Sequence, residues 1–313
     1  MLRAMAKGAG LLACGRIPGG AGLYRRITRD WLGSQASHVD KLQRVLPGYA
    51  AVWRERCGVT LEAADVWVHE AGWTPFSGFA IYLLTGKGGV LTNGEVELHD
   101  RYLTKAVNGV LAARWPEGLV TNERRRRIEA LRWEKGSHEA LEAVGTRLIE
   151  EVRPGRIPLA DASIDLVHSG GALEHLSPEE LDRFLAESRR ILRPGGVASH
   201  VFDHRDHLYH ADKRWPFLAH QAWPDPVYRA LFGHSLMFHS RLLPEEICRR
   251  FEAAGFERIV VRRLVMPEGR YATEEEVVRA KRGLPERLNA WRREPLSELD
   301  LRTAAAHYLF RAK

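Results

Sequence analysis

The stretch from Ile157 to Val197, IPLADASIDLVHSGGALEHLSPEELDRFLAESRRILRPGGV, constrains the fold more than any other part of the chain. Ser163–His168 (SIDLVH) is short, aliphatic and β-branched, and it stands between polar turns, as a strand covered on both faces of a parallel sheet does. Ser177, Pro178 and Glu180 then occupy the N-cap, first and third positions of a helix, which makes a capping box with proline at its start. Leu181, Phe184, Leu185, Ile191 and Leu192 recur at helical spacing and form one apolar face. Arg189, Arg190 and Arg193 fall in the last turn, where cations meet the negative end of the helix dipole. Pro194-Gly195-Gly196 ends the helix and turns the chain, and Val197–Phe202 (VASHVF) reads as the next strand. A strand, helix and strand of these lengths make a right-handed crossover.

The rest of the chain extends this alternation. Residues 1 to 60 read as a basic, helical N-terminal extension, and 61 to 313 as one α/β domain with a His- and Trp-rich insertion at 203 to 243. Val66–His69 and Val90–Thr92 are the first strands, separated by an apolar helix over Phe76–Leu84 that closes at Gly86. Leu98–Ala113 has helical spacing. Glu123–Val152 reads as one or two charged amphipathic helices. Its run Arg124–Arg127 is interleaved with Glu129, Glu134, Glu139 and Glu142, which favours a solvated helix face over a nucleic-acid site. A helix from Pro244 to Gly255, a strand over Phe256–Val265, a polar loop with a short helix over 266 to 300 and a last strand at His307–Phe310 complete the reading.

Composition adds limits. The net charge of +7 and pI near 9.5 fit an anionic partner, but an arginine-rich composition with no bearing on partners accounts for them more simply. No apolar run reaches the length of a membrane span. Cys14, Cys57 and Cys248 lie far apart, without metal spacing or a disulfide framework, so a reducing cytoplasm is the simplest compartment. The first 29 residues hold six basic side chains and no acid. They read as a solvated or partner-packed arm, with peripheral contact to an anionic membrane as the other reading.

The joint occurrence of DLVHS (Asp165–Ser169), LEHL (Leu173–Leu176) and LRPGG (Leu192–Gly196) resembles class I S-adenosylmethionine (SAM) dependent methyltransferases. The likeness is to methyltransferase-domain proteins of bacterial surface-polysaccharide and related biosynthetic loci, and it spans about residues 50 to 313. It implies a Rossmann-like α/β fold: a mostly parallel seven-stranded sheet with an antiparallel terminal strand. It also implies SAM as cofactor. Members read VLEIGTGW-x-P at the first strand and loop, where this chain reads VWVHEAGWTP, Val66–Pro75. Anchored on Gly72-Trp73-Thr74-Pro75, Val68 stands where the family has an acid and Glu70 where it has its first glycine. The other register makes Glu70 the acid. Bare glycines let the backbone approach the ligand closely. At the end of the second strand, where the family's acid takes the ribose hydroxyls, this chain has Asn93, with Glu95 in reserve. Arg153–Arg156 replaces the acid that precedes the adenine-side segment. Asp161 and Asp165 match. The cofactor set implied by the resemblance is therefore Glu70, Gly72, Trp73, Asn93, Asp161, Ser169, Glu174 and His175.

The segment after the fifth strand, Asp203-His204-Arg205-Asp206-His207-Leu208-Tyr209-His210, resembles the family's D-L-R-D-H-F. In an open α/β sheet it lies at the carboxyl ends of the strands, beside the cofactor cleft. A histidine with a nearby carboxylate can take a proton from a hydroxyl. His207 is the expected base, with Asp206 or Asp203 orienting it, and Asp203, His204 and His210 on the acceptor. Glu174-His175 is the second candidate pair. Seven of the fourteen histidines lie between His200 and His239, yet no helical His-x-x-x-His pair or cysteine partner joins them, so no metal is expected. Trp215, Phe217, Trp223, Tyr228 and Phe238 read as a satellite core or lid. Two functions stay open: methyl transfer to a hydroxyl of a small molecule or glycan, and a catalytically degenerate relative serving as a binding or structural partner. No nucleic-acid partner is expected.

Overall fold

The computed structural model describes residues 2–20, 22–24, 27, 36–94, 98–150, 152, 156–215, 217–233, 238–265, 270–272 and 297–313. Eight strands form one sheet: β1 (Val66–His69), β2 (Val90–Thr92), β3 (Arg147–Ile149), β4 (Ile164–Gly170), β5 (Leu192–Asp203), β6 (Phe256–Val265), β7 (Arg270–Ala272) and β8 (Thr303–Ala312). Their spatial order is β3-β2-β1-β4-β5-β8-β6-β7. The first five pair in parallel, and β8 runs antiparallel between β5 and β6. Seven strands thus form the expected Rossmann-like sheet with its antiparallel terminal strand. The short β7 adds an edge hairpin on β6.

The helices are α1 (Leu2–Arg16), α2 (Ala36–Glu55), α3 (Phe76–Thr85), α4 (Leu103–Ala112), α5 (Asn122–Glu129), α6 (Ser137–Glu142), α7 (Pro178–Ile191), α8 (His207–Ala211), α9 (Asp225–Phe232), α10 (Pro244–Ala253) and α11 (Glu298–Arg302). The capping box of α7 is formed: Ser177 Oγ accepts from the Glu180 N–H at 3.2 Å, and the Glu180 carboxylate accepts from the Ser177 N–H at 2.8 Å. Its face Leu181, Phe184, Leu185 and Ile191 is buried with Trp67, Phe251 and Phe310 on one side of the sheet. Each such side chain contributes roughly 1.5–3 kcal/mol. On the other side, Val39, Leu46, Ala50 and Trp53 of α2 join Phe79, Leu83 and Val107 in a second core. The N-terminal region is therefore not a loose appendage from α2 onward.

Three expectations change. Glu123–Val152 is not wholly helical: α5 and α6 are short, and the third strand follows them. Three residues, one exposed and two half-buried, give too weak a strand signal beside so many charges. Pro194-Gly195-Gly196 is not a separate turn but a bulge within β5, since Ile164 pairs with Leu192 while Leu166 pairs with Val197. Arg124 is not on a solvated face. It is buried, donates to the carbonyls of Leu83 and Leu84 at 3.1 Å, and pairs with Glu62. Arg125 donates to Leu111 O at 2.6 Å and Arg127 to Ala143 O at 3.3 Å. The arginine run thus ties down carbonyls at the ends of three helices, where donors are needed. Apart from β7 and α11, the expected loop over 266 to 300 lies outside the described residues, apart from Ser297.

Histidines occupy the middle of the sheet. His168 Nδ1 is 2.9 Å from Ser199 O, and Ser199 Oγ is 2.8 Å from His307 Nε2 and accepts from Trp53 Nε1 at 2.7 Å. On the opposite face Ser169 Oγ meets His200 Nδ1 at 2.8 Å, and Thr92 Oγ1 serves both Trp67 Nε1 and His69 Nδ1. Burial pushes His69 and His168 down to about 4, so these rings are neutral, hydrogen-bonded core groups.

Candidate functional site

The loop after β1 is laced to the end of β2. Glu70 has φ +51°, a left-handed backbone that side chains other than glycine adopt at a cost. Its carboxylate accepts from the Gly94 N–H at 2.8 Å, a bond that holds it there. Asn93 is fully buried, its Oδ1 accepting from the Gly72 N–H and its Nδ2 donating to Gly72 O, each at 3.1 Å. The Asn93 amide is committed to the loop and not displayed toward a ribose. Trp73 O accepts from the His99 N–H at 3.0 Å. Glu95 lies outside the described residues.

Gly72, at φ +83°, has no room for a side chain: a Cβ there would stand 2.7 Å from Cε1 of His38. His38 comes from the start of α2. Burial first, then the charge of Lys41, pushes it down to about 4, and its Nδ1 has no hydrogen-bond partner among the described residues. Thr74 Oγ1, in the same loop, is also buried without a partner, as is the hydroxyl of Tyr102 on the segment that follows His99. Buried polar atoms left unbonded cost free energy, so their gathering at one loop marks a place where a polar ligand would fit.

Past β4, Gly171 turns the chain at φ +89° into a short 3₁₀ turn, Leu173–His175. Glu174 is buried, and its Oε2 has no partner. Burial, reinforced by the charge of Asp203, pushes its carboxyl up to about 8, against the pull of Lys41. Glu174 therefore carries a proton at neutral pH. His38 and Lys41 are three residues apart at the start of α2: His38 stands over Gly72 in the loop after β1, and the Lys41 charge is felt at Glu174 in the turn after β4.

Beyond this turn four imidazoles gather. The His207 ring is 5.0 Å from that of His175 and 4.8 Å from that of His239, and His239 is 4.8 Å from His220. Burial, then the neighbouring rings, holds His207 well below its ordinary range, so its ring is neutral near pH 7. The arrangement depends on the return of the insertion: Ser240 N–H bonds Glu174 O at 2.6 Å, which brings His239 beside His175. His239 and His220 belong to a run of histidines visible in the sequence, but their meeting with His175 is set by a chain return that no local pattern announces. His38 and Lys41 had no sequence signal at all.

Other expected residues stand elsewhere. Asp161 is not brought to this rim. It precedes β4 at the opposite end of the sheet and pairs with Arg190 at 2.5 Å. Ser169 faces the core on His200. His204 is buried too, stacked on Phe202 and bonded to Tyr308 Oη at 2.9 Å. Asp206 is not paired with His207: it caps α8, accepting from the Leu208 N–H at 2.8 Å, and lies 4.0 Å from His220. Burial opposes ionisation of Asp203, but hydrogen bonds from His210 and Arg205 outweigh it and hold that carboxyl well below the usual range. Among the described residues no three histidines, cysteines or carboxylates are arranged to hold a metal ion.

Residues 132–199 match a family described as a methyltransferase domain. The match is confined to that stretch. It covers β3, β4, α7 and most of β5, and so includes the turn with Glu174 and His175. The loop with Gly72 precedes it. The chain also has distant likenesses among solved structures. A 1,6-didemethyltoxoflavin-N1-methyltransferase from Burkholderia thailandensis is 14% identical, with 93% of this chain and 90% of that one covered at a TM-score of 0.46. A SAM-dependent methyltransferase from Methanosarcina mazei is 13% identical, covering 80% and 93% at 0.41. One from Mesorhizobium loti is 14% identical, covering 85% and 99% at 0.42. No residue's role passes from them to this chain. No curated protein matches it.

Proposed function

We propose that the protein transfers a methyl group from SAM to a hydroxyl of a small molecule or glycan. The observation that carries the proposal is the gathering of unpartnered polar atoms, His38 Nδ1 and Thr74 Oγ1, around Gly72 at one end of the rim, with the unpartnered Glu174 Oε2 and four neutral imidazoles beyond. At the amino-acid end the donor set suits SAM. The unpartnered His38 Nδ1 over Gly72 suits a carboxylate, with the positive charge of Lys41 on the same helix, and Glu174 suits an ammonium once its proton leaves. Trp73 flanks the same loop. At the ribose end Glu70 and Asn93 serve the loop, so the diol is left to main-chain groups. When bound, SAM supplies an electrophilic methyl group on a sulfonium. The neutral ring of His207 accepts the proton of the acceptor hydroxyl at its unprotonated nitrogen. His175 and His239 keep that ring desolvated and uncharged, and Asp203 with His210 forms the polar edge where the acceptor enters.

Calorimetric titration with SAM and its demethylated product tests the proposal. Binding with measurable proton release from Glu174 is expected, and no heat at millimolar ligand would overturn it. A second reading, a partner protein without turnover, is favoured by one observation: the Asn93 amide is spent on Gly72 at both ends. That reading is supported if the demethylated product binds but no acceptor hydroxyl is methylated.

A further inference from the structure

Large exposed apolar side chains are rare on this molecule and are not scattered. Among the described residues they are Ile17, Leu23, Ile27 and Val227, at 60%, 55%, 41% and 38% exposure. Three of the four lie on the N-terminal arm. The arm is a folded feature. After α1 the chain turns at Pro18-Gly19, with Gly19 at φ +76°, and comes back so tightly that a Cβ on Gly20 would stand 2.3 Å from Cys14 O. Ile17 is thus held at the tip of a tight turn, and Leu23 follows on the returning segment. Val227 joins them through α9. The Arg16 guanidinium bonds Ala230 O, and Val227 and Ala230, three residues apart, are both on the exposed side of that helix. Leu11 of α1 packs on Leu208 of α8, seating the arm against the helix that carries His207.

Basic residues dominate the sequence of the arm. Arg3, Lys7, Arg16, Arg25, Arg26 and Arg29 precede the first acid of the chain. On α9, Arg229 is exposed and Asp225 is neutralised by Arg241 at 2.8 Å. An apolar tip beside the exposed Arg16 and Arg229, on an arm whose first 29 residues hold six basic side chains and no acid, suits a surface that is anionic outside and apolar just beneath. A bilayer meets both features at once, with anionic headgroups for the arginines and an acyl layer for Ile17 and Leu23. We infer that the turn at Ile17, with Leu23 and Val227, docks the protein on an anionic lipid bilayer. Insertion is shallow, for no helix among the described residues is long and apolar enough to cross a membrane. The inference stands apart from the methyl-transfer reading, since it needs neither cofactor nor acceptor.

Co-sedimentation of the full chain with phosphatidylcholine vesicles, with or without about a third phosphatidylglycerol, tests it. Partitioning should be roughly tenfold or more tighter on the anionic vesicles and fall away near 0.5 M salt, where screening is short-ranged. The double variant Ile17→Glu with Leu23→Glu should lose vesicle binding at least about tenfold while its circular dichroism stays that of the parent, because both side chains are already in water. Arg25→Glu with Arg26→Glu should flatten the salt dependence, and it keeps the test open if the first variant misfolds. Equal binding to neutral vesicles, or no binding to anionic ones, overturns the inference. So does self-association, seen by light scattering and removed by the first double variant, in a protein that ignores vesicles: the patch is then a contact between copies.

Discussion

His168 and His207 carry the same ring in two different settings. His168 lies within β4, bonded to Ser199 and packed against Trp53 and Tyr49. His207 lies at the start of α8, half-buried, among rings that share its chemistry. Both are neutral near pH 7 because burial disfavours the charged form. The difference is what surrounds them. His168 has its bond to Ser199, but in the same core His307 Nδ1 and His200 Nε2 are buried without a partner among the described residues. At the rim Glu174 Oε2, His220 Nδ1 and His239 Nε2 are left unpaired. Neutrality alone does not mark a functional histidine. Unpaired nitrogens do not either, since His200 and His307 in the core have them; what sets the rim apart is four rings gathered beyond the protonated Glu174.

The interior set should dominate behaviour in acid. Unfolded, His69 and His168 take protons near 6.5; folded, they refuse them until about 4. Between those values the unfolded chain holds more protons, so stability is complete above 6.5 and falls as the pH drops. At about 1.4 kcal/mol per pH unit and ring, the two cost about 7 kcal/mol by pH 4, as much as many domains possess. Urea midpoints should therefore fall steeply below pH 6.5, with unfolding complete before pH 4. A midpoint flat from pH 7 to 5 would break the assignment of these rings to a neutral core.

Swapping the two settings sharpens the contrast. His207→Ala is expected to lower turnover by about a hundredfold or more with little change in the unfolding midpoint. His168→Ala should do the reverse, costing about 2–4 kcal/mol of stability through a cavity and the lost partner of Ser199. Steady-state rates and urea titrations on both variants check this. If His168→Ala alone abolished turnover in a folded protein, the division between core and rim would fail.

Legibility in the sequence followed the range of the interactions. The crossover from β4 through α7 to β5 was readable because capping box, apolar stripe and turn are local, and they form as written. The strand β3 was not, because a three-residue strand owes its existence to the edge of β2. The arginine run was misread for a related reason: what Arg124 caps is the end of a helix some forty residues earlier in the chain. Of the proposed site, Gly72, Glu174, His175 and His207 could be named from motif positions. His38, Lys41 and His239 could not, since α2 and the return at Ser240 bring them in from far away in sequence. The motif also overreached. Asp161 and Ser169 hold family positions but face Arg190 and His200.

Asn93 offers a direct probe of the two ends of the cofactor loop. An aspartate there would supply the acid that the family pattern has at the end of β2, yet it would also set a carboxylate oxygen against Gly72 O in place of the Nδ2 donor. Asn93→Asp is expected to cost about 1–3 kcal/mol in urea unfolding and to loosen the loop, with no gain in affinity for SAM. Tighter SAM binding by this variant would show that the clamp is dispensable and that the ribose end is built as in the family.

The smallest expected effect is at Gly72. Gly72→Ala adds one methyl group where φ is +83° and where His38 Cε1 stands 2.7 Å away. The left-handed backbone alone costs roughly 1–2 kcal/mol with a Cβ present. The contact with His38 adds less, because a ring at the end of a side chain can swing aside. Stability should drop by about 1–2 kcal/mol, and pairing the change with His38→Ala should recover only the part due to contact. SAM affinity separates the two roles of this glycine. If His38 binds the cofactor from above Gly72, the double variant regains stability but not affinity. If His38 is only a plug in the loop, removing it improves affinity in the parent and in the glycine variant alike.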